Sequence, residues 1–247
     1  MEAARTIREA IASVALLRQA ALDSPALGQA VGEIKRLQAA RFAGTYADLL
    51  ASSAYAAPAR FFLEELYGDR DYEERDAQFG RIAGTIGKLF PAQAADTAVA
   101  LARLHALTED LDQAMAAAWL AGGAQDPATV PRYIAAWRAV GRSAERQAQL
   151  AVVVDVGRQL ARLTRAPGLR TMLRMMRGPA AAAGMGSLQR FLENGFDTFA
   201  AMARQPNGVE TFLGSIAQRE SSLIANLFDA DLVACETQLQ HLLGQAR

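Results

Sequence analysis

Apolar residues recur along this chain every three or four positions, and no stretch alternates with the two-residue period of a strand. Residues 2–22 carry a stripe of Ile7, Ile11, Val14 and Leu22, with Arg8 and Glu9 facing away, until Asp23-Ser24-Pro25 breaks it. A long helix follows over 28–51 through Ile34, Leu37, Phe42, Tyr46, Leu49 and Leu50, then a shorter one over 57–67. Tyr72 opens a helix through Phe79, Ile82 and Ile86, in which Gly80, Gly84 and Gly87 leave room for a close neighbour. The longest helix is expected over 92–121, on Val99, Leu101, Leu104, Leu107, Leu111 and Met115. Asp126-Pro127 reads as a cap and first turn for a helix through Tyr133, Ile134 and Trp137. Ser143 is placed to cap 144–165, where Val152–Val154 is β-branched but continues in helical period to Leu160 and Leu163. A methionine-rich helix begins at Pro167-Gly168 and breaks at Gly178-Pro179, and strong helices cover 187–204 and 209–228.

The expected fold is therefore all-α: one compact domain of about ten helices with amphipathic terminal extensions. Residues 1–25 form an N-terminal helix, 26–230 the domain and 231–247 an amphipathic tail through Leu232, Leu239, Leu242 and Leu243. Composition agrees, with 51% hydrophobic residues and 7% aromatic in 247. A chain this long buries enough surface to need no staples.

Charge excludes more than it suggests. The formal net charge is +0, so no basic field draws a phosphate backbone and no nucleic acid is expected as a partner. Lys35 and Lys88 are the two lysines, which reads as compositional bias. Cys235 is alone, and no run is long and apolar enough for a transmembrane segment or a signal peptide. The expected location is cytoplasmic.

The densest aromatic and acidic cluster is Arg60-Phe61-Phe62-Leu63-Glu64-Glu65-Leu66-Tyr67-Gly68, followed by Asp69-Arg70-Asp71-Tyr72-Glu73-Glu74-Arg75-Asp76. Phe62 and Leu66 share one helix face above Pro58 and Ala59. Gly68 is placed to end that helix in a left-handed conformation, and Asp71 with Glu74 makes a capping box for the next. The motif thus reads as helix, tight corner, helix, and its plainer role is structural; the alternative is an acidic site of Glu64, Glu65, Asp69, Asp71 and Tyr67. On these residues the chain resembles the bacterial FFLEELY motif proteins from about residue 33 to about residue 228. That resemblance implies a family and carries no activity.

Candidate chemistry is sparse. His105 is followed by Thr108, Glu109 and Asp112 on one helix face, which suits a base held by a carboxylate or half of a metal site. The plainer reading is a partly buried histidine bonded to its own helix. With His241 the only other histidine, no di-iron or multi-histidine zinc set is available, and no metal is expected. A haem held by His105 needs one histidine, but nothing else in the chain supports it. Gly184-Met185-Gly186-Ser187 before a helix can receive an anion, or is a tight corner. Met172, Met175 and Met176 with Phe191 and Phe196 can line an apolar pocket, or form ordinary core. Arg170, Arg174 and Arg177 make a local basic stripe. Two functions follow. The first is a non-enzymatic helical protein binding a partner protein or an apolar small ligand. The second is a cofactor- or metal-dependent helical enzyme using His105 with Glu109 or Asp112.

Overall fold

The computed structural model describes residues 2–65, 72–89, 91–122 and 129–246, with the backbone alone for 87–89. Leu66, Tyr67, the left-handed end at Gly68, the Asp71 capping box with its acidic neighbours, Gly87 and the Asp126-Pro127 cap lie outside the described residues and side chains. The described residues form thirteen helices and no strand, one all-α domain. In order these are α1 Glu2–Asp23, α2 Pro25–Thr45, α3 Ala47–Ala51, α4 Ala56–Glu65, α5 Glu73–Leu89, α6 Ala92–Ala121, α7 Thr129–Val140, α8 Ser143–Leu163, α9 Leu169–Met175, α10 Arg177–Ala182, α11 Gly186–Met202, α12 Gly208–Asp229 and α13 Leu232–Gln245.

Several boundaries differ from the periodicity, each for a local reason. Ser24 accepts the Leu27 N–H and Pro25 takes the first helical position, so the break after α1 is also the start of α2. The expected helix 28–51 divides at Tyr46, which leaves helical geometry at φ −115° while its side chain stays in the core. Ser143 is the first helical residue, and Arg142 holds the cap position without a side-chain cap bond. The methionine-rich segment breaks at Met176 and not at Gly178-Pro179: Pro179 sits in the first turn of α10, where a missing N–H costs nothing.

Helix α6 is the axis of the domain. Its 30 residues span about 45 Å, and α1, α2, α5, α7 and α8 pack around it. α12 lies on α8, while α11 joins α4, α5, α8 and α9. The terminal helices dock by their stripes. α1 buries Ile7 and Val14 against α5 and α6, and α13 buries Cys235 and Leu239 against α2 and α7. Leu22, expected in the α1 stripe, is 70% exposed, since it stands eight residues beyond Val14 and about 80° round the helix.

The aromatic pair of α4 ties that helix to the far side of the core. Phe62 is 1% exposed, with its ring 5.3 Å from Phe212 and 6.3 Å from Phe199. Phe61 stacks on Phe191 at 5.8 Å and fits because Gly195 carries no side chain; a Cβ there would lie 3.1 Å from the Phe61 ring. Two such buried rings contribute about 1.5–3 kcal/mol each through removal from water.

Candidate functional site

Helix α6 carries its apolar and polar residues in zones along one face. Ala94, Thr97, Ala98, Leu101 and Leu104 come first, with the Thr97 hydroxyl bonded to Gln93 O and Gln159 Oε1, then His105, Thr108, Glu109 and Asp112. All nine line a cavity of about 170 Å³. From Ala94 to Asp112 the lining residues of α6 span about 27 Å at 1.5 Å per residue. The apolar end is completed by Ile82 and Ile86 of α5, Leu160 and Leu163 of α8, Leu169 and Leu173 of α9 and Leu192 and Phe196 of α11. The polar end is completed by Lys35 and Gln38 of α2, Glu65 of α4 and Arg75 and Asp76 of α5.

The hydrogen bonds show how the helices bring these residues together. Lys35 Nζ donates to both Glu109 oxygens, at 2.6 and 2.8 Å, and Gln38 Nε2 donates to Asp112 Oδ1 at 2.9 Å. Both pairs are separated by 74 residues, so α2 and α6 run parallel here, in register. His105 Nε2 donates to Asp76 Oδ2 at 2.9 Å, and Arg18 Nη2 donates to the same oxygen at 3.0 Å. Arg75 bonds the Glu65 carboxylate at 3.2 Å, with its guanidinium 4.1 Å from the Tyr72 ring centre and 4.7 Å from that of Phe191. Gln149 of α8 donates to Thr108 Oγ at 2.7 Å.

Two carboxylates at this end are perturbed in opposite senses. Burial alone pushes Asp76 up, but the bond and charge of His105, with Arg18 and Arg75, outweigh it and hold the carboxyl below its ordinary value. Burial also pushes Asp112 up; here it prevails, helped by Glu109 and opposed by Arg146, Lys35 and the Gln38 bond.

The residues singled out from sequence separate into those at the cavity and those away from it. His105, Glu109 and Asp112 all line it, yet the carboxylate bonded to His105 is Asp76 of α5 and not one on its own helix. Phe191 and Phe196 line the apolar wall, whereas Met172, Met175 and Met176 are not among the lining residues, and Met175 is 74% exposed. Of the motif, Glu65 lines the cavity, Phe61 and Phe62 line a smaller neighbouring void of about 40 Å³, Leu63 is half-buried and Glu64 is exposed. The corner before α11 has its own partners: the Leu188 N–H donates to Gln78 Oε1 at 2.7 Å and Ser187 Oγ to Glu74 Oε2 at 2.9 Å. In the basic stripe, Arg170 pairs with Asp197 and Arg177 with Glu193, both acids of α11. Among the described residues, no group of three or more His, Cys, Asp or Glu side chains is arranged to hold a metal ion. No helix among them is long and apolar enough to cross a membrane.

Arg75 and Asp76 stand at the end of the aromatic and acidic cluster with nothing in the sequence to give them a role, and no sequence signal marks Gln38. Asp76 lies 29 residues from His105, so no helical spacing joins them. Lys35 stood out only as one of two lysines in an arginine-rich chain.

The family model for a domain of unknown function, DUF8198, matches residues 17–233. The chain belongs to that family. The matched span runs from the last turns of α1 to the start of α13 and so contains every residue that lines the cavity. No curated protein and no solved structure matches the chain.

Proposed function

We propose that this DUF8198 protein is a non-enzymatic binding protein for a slender apolar small molecule, held along α6 with one end among His105, Glu109 and Asp112. The observation that carries this reading is the zoning of the cavity wall: a mostly apolar stretch about 16 Å long, from Ala94 to His105 and broken by Thr97, that ends in a cluster of partnered polar side chains. Ligand sites are mostly apolar walls with a few placed polar groups that fix orientation. The resemblance to FFLEELY motif proteins, and a cytoplasmic location with a lone buried Cys235, agree with this reading and add no activity to it.

The test is calorimetric titration of the purified chain with 1-octanol, beside Ala98→Phe, which puts a ring into the apolar zone. Wild type should bind one equivalent saturably, and at a hundredfold excess over Kd its unfolding free energy should rise by about 2.7 kcal/mol. The variant should fold and lose the binding. Absence of saturable binding to wild type, or unchanged binding by a folded Ala98→Phe, would sink the proposal.

A second reading is favoured by the Asp76–His105 pair. A histidine oriented by a buried carboxylate at the polar end of an apolar chamber is the arrangement of a general base. In that enzyme His105 acts with Asp76, while Glu109 and Asp112 shape the polar end. His105→Asn separates the readings: binding kept in a chain that turns nothing over favours the first, and an activity lost with binding kept favours the second.

A further inference from the structure

The charges around the polar end are already matched among themselves, and this decides which head group the cavity accepts. The inference rests on the binding reading above. Among the described residues that line the cavity the cations are Lys35 and Arg75, and the carboxylates are Glu65, Asp76, Glu109 and Asp112. Lys35 is held by Glu109 through both oxygens, and Arg75 by Glu65. Arg75 is further fixed between the Tyr72 and Phe191 rings. The two remaining carboxylates face cations from behind the wall. Arg18 bonds Asp76, and the charge of Arg146 acts on Asp112. Among the described residues that line the cavity, each cation is bonded to a carboxylate, and the carboxylates outnumber the cations four to two.

We infer that the ligand carries a non-anionic, hydrogen-bond-donating head, a hydroxyl or a protonated amine, on a slender apolar chain. An anionic head would enter a space of low polarizability in which each lining cation is already bonded to a carboxylate. It would have to break the Lys35–Glu109 pair to gain a partner, leaving Glu109 buried and unpaired. A donor head meets acceptors without breaking any pair. The upward displacement of Asp112 adds to the same picture, because a buried carboxylate that resists ionisation is relieved by a donor.

The experiment compares 1-octanol, octylamine and octanoate on the full chain at pH 7 by calorimetry, with Glu109→Gln beside wild type. Wild type should bind octanol or octylamine at least about tenfold more tightly than octanoate, and which of the two is preferred tells a neutral donor from a charged one. Glu109→Gln frees Lys35 and should shift the preference toward octanoate by about tenfold, a change that loss of packing alone does not produce. Octanoate binding wild type as well as the other two, or Glu109→Gln weakening all three alike, overturns the head-group inference and leaves the cavity reading standing. Failure of all three chains to bind wild type overturns the cavity reading, and this inference with it.

Discussion

The buried pair of Arg41 and Glu220 joins α2 to α12 across the core, and its removal has a calculable cost. Arg41 Nη1 donates to Glu220 Oε1 at 3.0 Å, and Tyr46 donates its hydroxyl to the same oxygen at 2.9 Å. The two side chains are 5% and 7% exposed. Burial alone pulls the guanidinium's pKa down, and the charge and bond of Glu220, with Tyr133 and Tyr46, raise it above the ordinary arginine value. Arg41 Nε has no hydrogen-bond partner, so Glu220 is the main compensation for a fully buried cation. Glu220→Gln keeps the shape and deletes the counter-charge. A buried charge left without its partner costs about 3–5 kcal/mol, a large part of the total stability of a domain. In a chain of this size that lowers Tm by about 6–20 °C. Tyr46→Phe removes one bond to a charged acceptor and should cost about 1.5–3 kcal/mol. The two variants act on one oxygen, so the double variant should lose less than the sum of the singles by more than about 0.5 kcal/mol. Urea unfolding checks all three, with an unchanged m value showing that the native fold persists. A Glu220→Gln cost below about 1 kcal/mol, or strict additivity with Tyr46→Phe, would refute the reasoning.

Two further outcomes follow from single contacts. A Cβ on Gly44 of α2 would lie 1.8 Å from the Leu242 carbonyl oxygen of α13, backbone that cannot rotate away; Gly44→Ala should therefore lift α13 and cost more than the usual 1–3 kcal/mol of overpacking, read as a lower urea midpoint together with new thiol reactivity at Cys235. Asp76 has a folded pKa held below its unfolded value, so its contribution is present above the unfolded value and is lost as pH falls through the folded one; the stability gap between wild type and Asp76→Asn should be widest near neutral pH and close below about pH 4.

The fold class, the longest helix and the apolar stripes of the terminal helices were legible because helical period depends on near neighbours in the chain, whereas the docking of α1 and α13 onto the domain depends on distant ones. Helix ends were less legible. Tyr46 ends α2 with nothing in its own type to announce it, and Pro179, whose type predicts a break, sits in the first turn of α10. The site was half legible. One helix face supplied His105, Glu109 and Asp112, but spacing along that face says nothing about the helix opposite. The partner of His105 came from α5, and those of Glu109 and Asp112 from α2. The methionines misdirected attention for a related reason. Their composition suits a pocket, yet α9 turns Leu169 and Leu173 inward and leaves Met175 outside.

The position of α6 explains why its polar residues carry so much of the functional argument. A helix on the surface of a bundle shows one apolar stripe, and its polar residues need no partner but water. α6 has neighbours on most sides: α1, α2, α5, α7 and α8. Each polar side chain on its inner faces must then be met by another element or open onto a cavity. Asp112 is met by Gln38, Thr108 by Gln149, Glu109 by Lys35 and His105 by Asp76. Well-packed apolar groups of the same volume are often as stabilising as buried ion pairs, or more so. Stability alone therefore does not account for four partnered polar groups in succession at one end of an apolar chamber, whereas orientation of a bound molecule requires groups of this kind at such a place.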